Sequence, residues 1–147
     1  MVLRGTGTRG MCQCIRPSRS PAPYPHAVKN VILKGQTAAI PATTLFTPRK
    51  DGLYRVSVYM VTTTANNDIN ATWNTTMTWT DDAGPWSLTQ WMIYSGNKIN
   101  SVLCCNSVAN LTATVKAGTP LTYSVDPAGG DPTGSTYELF SVVEQLM

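Results

Sequence analysis

The chain has 147 residues, one domain's worth of length, with 13% charged residues and a formal net charge of +3. No apolar run reaches the roughly 18 residues of a membrane span, and the opening MVLRGTGTRGMCQC has charge but no apolar stretch of a secretion signal, so a soluble chain not secreted by that route is expected. The net charge conceals a division: residues 1–50 hold eight Lys/Arg and no acid, whereas residues 51–147 hold three Lys/Arg against eight acids, a balance of +8 followed by −5.

Residues 1–27 read as a basic, extended arm. They carry Arg4, Arg9, Arg16, Arg19 and His26, with Pro17, Pro21, Pro23 and Pro25 favouring polyproline-like backbone. The segment holds too little apolar surface to fold by itself. Residues 28–147 read as the domain, with 28–50 as its entry strands. Val28–Leu33 and Thr37–Phe46 are short and interrupted at Gly35 and Pro41, which predicts edge strands.

Gly52–Thr64 gives the clearest strand signal, with Tyr54, Val56, Val58 and Met60 on one face and Arg55, Ser57 and Tyr59 on the other. Ile69–Thr80 alternates likewise and places Trp73 and Trp79 together, toward a core. Asp81-Asp82-Ala83-Gly84-Pro85 predicts a turn, with Pro85 ending the ladder, and the flanking strands form a hairpin. Further strands are predicted at Trp86–Tyr94, Lys98–Cys105, Val108–Val115, Leu121–Val125 and Tyr137–Gln145, with Asp126–Ser135 as an exposed Gly/Pro loop. The 21 threonines and the enrichment in Val, Ile, Tyr and Trp after residue 52 suit strands. About eight short strands at regular spacing predict an all-β fold, a sandwich or barrel.

Chemistry-bearing residues are few. Cys12/Cys14 and Cys104/Cys105 lack zinc-knuckle spacing, and His26 alone cannot complete a Cys/His set, so no metal or other cofactor is expected. Adjacent strand residues point to opposite faces, so Cys104 and Cys105 are expected to be reduced, one in the core and one at a surface or interface. The sequons at Asn70, Asn74 and Asn110 are near chance frequency for this composition. Asp81/Asp82 lie in a turn and Asp126/Asp131 in a loop, while Glu138 and Glu144 stand about 20 Å apart along one strand. None of these pairs suits general acid–base work. A triad would need His26 in the arm, where preorganised geometry is lacking. No P-loop, Rossmann or HExxH motif occurs. The expectation is a non-enzymatic protein.

Three phrases carry a resemblance. Phe46-Thr47-Pro48 followed by Asp51-Gly52-Leu53-Tyr54-Arg55-Val56-Ser57-Val58-Tyr59 resembles the entry into the first long strand of C1q/TNF-like jelly rolls. Val115–Leu121 resembles their late turn and strand, and Tyr137–Val143 their last central strand. Together these span about 100 residues, from Leu45 to Met147, through short and degenerate motifs. The pattern is also similar to jelly-roll domains of tailed phages that decorate capsids or form fibre heads. The resemblance implies a jelly-roll-like antiparallel β-sandwich and a homotrimer, with an aromatic face against the three-fold axis and Tyr59, Trp91 and Tyr94 as candidate interface residues. The chain departs from C1q proteins proper in lacking a Gly-X-Y stalk and a secretion signal, which favours the virion setting.

The basic arm has three readings: docking along an acidic protein surface, binding nucleic acid, or solubilising the chain. Its charge is sparse for phosphate neutralisation, and prolines with intermittent arginines suit docking along a protein, each Arg able to pair a carboxylate. The expected function is a capsid decoration or cement protein of the virion exterior, made in the host cytoplasm. Its expected partners are the major capsid protein and itself, without a membrane and with nucleic acid disfavoured, and Arg4, Arg9, Arg16 and Arg19 carry the docking. The alternatives are a fibre or spike head that binds host glycans through Trp86–Trp91 or Asp126–Ser135, and a nucleic-acid-binding coat component.

Overall fold

The computed structural model describes residues 25–66, 70–94 and 106–147, without the side chains of 91–94 and 106–107. Among the described residues eight strands follow one another: β1 (His26–Gln36), β2 (Ile40–Phe46), β3 (Gly52–Thr64), β4 (Thr72–Asp81), β5 (Gly84–Tyr94), β6 (Asn106–Val115), β7 (Leu121–Ala128) and β8 (Thr136–Gln145). They form two four-stranded sheets, the first in the order β1-β8-β3-β6 and the second in the order β2-β7-β4-β5. Every neighbouring pair is antiparallel. Because β1 pairs β8, β2 pairs β7, β3 pairs β6 and β4 pairs β5, the chain is one long hairpin rolled into two stacked sheets. This is the jelly-roll-like sandwich that the resemblance implied, where the strand pattern alone left a sandwich or a barrel open.

Two-residue alternation puts the apolar set between the sheets. From the first sheet, Tyr54, Val56, Val58 and Met60 of β3 and Tyr137, Leu139 and Val143 of β8 are buried. From the second, Trp73 and Met77 of β4 and Leu121, Tyr123 and Val125 of β7 meet them. Each fully buried side chain of this size contributes about 1.5–3 kcal/mol. Trp79 packs against this core, though only half-buried, on the face expected from its spacing with Trp73. Two hydroxyls inside find partners: the Thr75 hydroxyl donates to Met60 Sδ at 3.1 Å, and the Tyr137 hydroxyl donates to the Ala38 carbonyl at 2.9 Å. The Tyr137 ring also lies 4.8 Å from that of Trp73, which joins the two sheets.

Several boundaries differ from the sequence expectation. β1 begins at His26, so His26 and Ala27, assigned to the arm, pair with Gln145 and Glu144. Pro85 does not end the ladder: it pairs with Thr80 in β5, which borders only β4, and an edge strand tolerates a missing donor. β7 runs on through Asp126, Pro127 and Ala128, because β2 pairs it only up to Val125 and the proline meets β4 alone. The loop after it is not wholly exposed either, since Ser135 is fully buried, accepts a hydrogen bond from Trp73 Nε1 at 3.3 Å and donates to the Pro132 carbonyl. The strand expected at Lys98–Cys105 and the arm residues before 25 lie outside the described residues. The hairpin β4–β5 forms as expected, with Asp81 Oδ1 accepting from the Ala83 and Gly84 amides.

Among the described residues four strands lie at sheet edges, and they are unlike one another. β1 carries Lys29 and Lys34 and two register shifts, β2 carries Pro41 and two shifts, and β5 carries Pro85 and one shift. β6, paired on one side with β3 from Asn106 to Val115, has no proline, no charged residue and no shift.

Two substitutions test this packing. At Gly129, φ is +81° and an added Cβ would sit 2.5 Å from the Asn70 carbonyl oxygen, so Gly129→Ala is expected to destabilise by about 2 kcal/mol in urea unfolding. Ser141 is 3% exposed in the core between Val31 and Val58, and its Oγ has no hydrogen-bond partner. Ser141→Ala should therefore leave stability unchanged or raise it by about 1 kcal/mol, measured the same way.

Candidate functional site on the outer face of the first sheet

The alternation that buries one face of the first sheet exposes the other, and register decides what meets there. Ile32 of β1 pairs with Phe140 of β8, Phe140 with Tyr59 of β3, and Tyr59 with Val108 of β6. One apolar row thus crosses all four strands. Ile32 is 63% exposed, Val108 61% and Tyr59 38%, while Phe140 is half-buried with its ring 5.8 Å from that of Tyr59. Beside this row Val142 is also exposed. Of six exposed large hydrophobic residues among those described, four lie on this single face, which is the sign of an interaction surface rather than of scattered exposure.

The face is bounded on one side by a charge pair. Arg55 Nε donates to Glu144 Oε2 at 2.8 Å, and these residues are directly opposite in the β3–β8 ladder. That hydrogen bond, with the attraction of the guanidinium, holds the Glu144 carboxyl below its ordinary value against a smaller opposing effect of desolvation. The Arg55 guanidinium is correspondingly raised.

The outer face of the second sheet is chemically different. There the Thr78 and Thr122 hydroxyls lie 2.6 Å apart, Thr76 and Thr89 lie 2.9 Å apart, and Ser124 donates to Asp126 at 2.9 Å. Cross-strand hydroxyl pairs of this kind suit a surface left in water.

Of the three candidate interface residues, Tyr59 lies in the centre of the apolar row. Trp91 and Tyr94 are on β5, in backbone register with Asn74 and Thr72 of the other sheet, so the three are not brought together. The arm residues Arg4, Arg9, Arg16 and Arg19, and Cys12, Cys14, Cys104 and Cys105, lie outside the described residues. Ile32, Phe140, Val108 and Val142 escaped the sequence reading. β8 is apolar on both faces, so its alternation alone does not say that Phe140 and Val142 point outward. Of the carboxylates considered for catalysis, three have evident structural partners: Asp81 is tied into its turn, Glu144 is paired with Arg55, and Asp131 accepts from the Thr133 amide. Among the described residues no cluster of three or more His, Cys, Asp or Glu side chains could hold a metal ion.

The chain matches no protein-family model and no curated protein.

The Arg55–Glu144 pair gives a pH signature with a definite sign. A carboxyl held below its unfolded value contributes stability that is complete above that value and is lost as pH falls through the lowered one. Thermal melts of wild type and Glu144→Gln should therefore differ most at neutral pH and draw together as pH falls below the ordinary glutamate range. A constant gap across that range would show that the pair does not contribute through charge.

Proposed function

We propose that this protein is a non-enzymatic structural component of a virion: a homotrimeric jelly roll that decorates the capsid exterior and is secured there by its basic N-terminal segment. The observation that carries the reading is the apolar row Ile32–Phe140–Tyr59–Val108, which a lone protomer leaves in water and self-association would bury. Tyr59 lies at the centre of that row, and its ring combines apolar area with a polar hydroxyl, a combination favoured at subunit interfaces. The hydroxyl-covered face of the second sheet supports assigning self-association to the first. The jelly roll is shared by viral capsid and lectin domains, which supports the setting by analogy of fold alone.

The N-terminal segment supplies attachment. Arg4, Arg9, Arg16 and Arg19 stand in a stretch without acids, and each guanidinium can form a bidentate pair with a carboxylate of the major capsid protein. The four prolines keep the segment extended and lower its ordering cost on binding. Three such segments on one trimer act together, so that release requires all three contacts to be open at once.

Two variants separate the parts of this reading. Size-exclusion chromatography with light scattering should give three protomer masses for the full chain and one for Tyr59→Lys, since a lysine in the centre of the row opposes its burial. Deletion of residues 1–24, which stops short of β1, should leave the trimer intact and abolish binding to capsids. A full chain that runs as one protomer mass, or a deletion variant that still decorates capsids, would overturn the corresponding part.

A further inference from the structure

Where the start of β3, the β4–β5 hairpin and the end of β6 come together lies a cleft of about 340 Å³. Leu53, Val115 and Met147 contribute apolar surface to its lining, and so do Asp51, Asp81 and Asp82 with their carboxylates. Lys116 also lines it, 3.7 Å from Asp82, so the lining holds three carboxylates against one ammonium. Arg49 and Lys50 precede Asp51 in the chain, but neither lines the cleft. Two of the carboxylates are already held in place: Asp51 Oδ1 accepts from the Ala117 amide at 2.7 Å, and Asp81 Oδ1 accepts from the amides of its turn. Among the described residues no acidic cluster suits a metal ion. Apolar surface beside carboxylates suits an organic cation instead, and a guanidinium is one whose flat faces pack on apolar groups while its edges pair with carboxylates.

We propose that this cleft seats the basic N-terminal segment of the same chain, with Arg19 as the anchoring side chain. Residues 1–24 carry Arg4, Arg9, Arg16 and Arg19 and no acid, so their charge complements the lining. The register brings the segment to the right end of the sandwich. His26, the first residue of β1, pairs with Gln145 of β8, and Gln145 pairs with Tyr54 of β3. His26 thus stands two strand spacings, about 10 Å, from Tyr54, the neighbour of Leu53. The Leu53 amide donates to the Met147 carbonyl at 3.3 Å, which joins the two apolar residues of the cleft at that same end. Arg19 precedes His26 by seven residues, which span up to about 25 Å when extended. That reach covers the distance, and a short closure costs less entropy than one made through Arg4 or Arg9. Seating Arg19 fixes the root of the segment and leaves Arg4 and Arg9, farther out, for a second protein. The contact lies within one chain and does not rest on the virion reading.

The test is limited digestion of the full chain with trypsin, followed bond by bond by mass spectrometry. A seated Arg19 is hidden from the protease, and cleavage then tracks the fraction of time the segment is released. In the double variant Asp51→Asn/Asp82→Asn the Arg19–Ser20 bond should be cut about ten-fold faster than in wild type. The Arg9–Gly10 bond should be cut at the same rate in both, and the bonds after Lys29 and Lys34, inside β1, should stay resistant, which reports an intact fold. Asparagine at position 51 keeps an acceptor for the Ala117 amide, and the Asp82 side chain is 92% exposed, so neither change removes a fold contact other than the Lys116 pair. Protection of the Arg19–Ser20 bond should persist in Tyr59→Lys, the variant that opposes self-association. Equal cleavage of that bond in wild type and the double variant would overturn the proposal. Loss of protection in Tyr59→Lys would give the cleft to a neighbouring copy's segment and overturn the contact within one chain.

Discussion

Tyr137 holds the architecture together. Its ring is fully buried against Trp73, so β8 of the first sheet and β4 of the second are fixed relative to each other. Burial also raises the phenol's pKa well above its ordinary value, so the hydroxyl stays protonated and available as a donor. It meets that requirement at the Ala38 carbonyl, in the link between β1 and β2. A buried hydroxyl without a partner costs roughly 1–3 kcal/mol, so the position of this link follows from the need to satisfy it. Once the link is placed, β1 lies beside β8, and Ile32 falls opposite Phe140.

The functional surfaces follow from that frame by alternation. In each strand the same two-residue period that supplies the core supplies an outer face, and the two outer faces diverge in chemistry. The first sheet presents Ile32, Phe140, Tyr59 and Val108 in a line, while the second presents threonine and serine hydroxyls. A jelly roll has no single inherent function, and its uses lie in such faces and in the ends of its strands. Here the faces divide into one that favours burial and one that favours water.

Much of the fold was legible in the sequence wherever a local rule sufficed. Gly52–Thr64 read correctly at both ends because its two-residue alternation is clear along the strand. The β4–β5 hairpin followed from turn chemistry at Asp81 and Gly84. What the sequence hid was non-local. Pro85 and Pro127 look like strand breakers until the sheet order shows that each lacks a neighbour on one side. Ser135 looks like a loop residue until Trp73 is found donating to it. The apolar row needs three registers at once, joining residues from opposite ends of the chain, and no spacing within a single strand encodes it.

The plain edge of β6 has a bearing on solubility. The other three edges are guarded by lysine, proline or irregular pairing, the usual devices against sideways growth of a sheet, whereas β6, among the described residues, offers an uncharged ladder from Asn106 to Val115. Val108, the end of the apolar row, sits on that same strand. A subunit contact that covers Val108 would bring a neighbour against the open ladder as well, so assembly and protection from fibrous aggregation would be achieved by one surface.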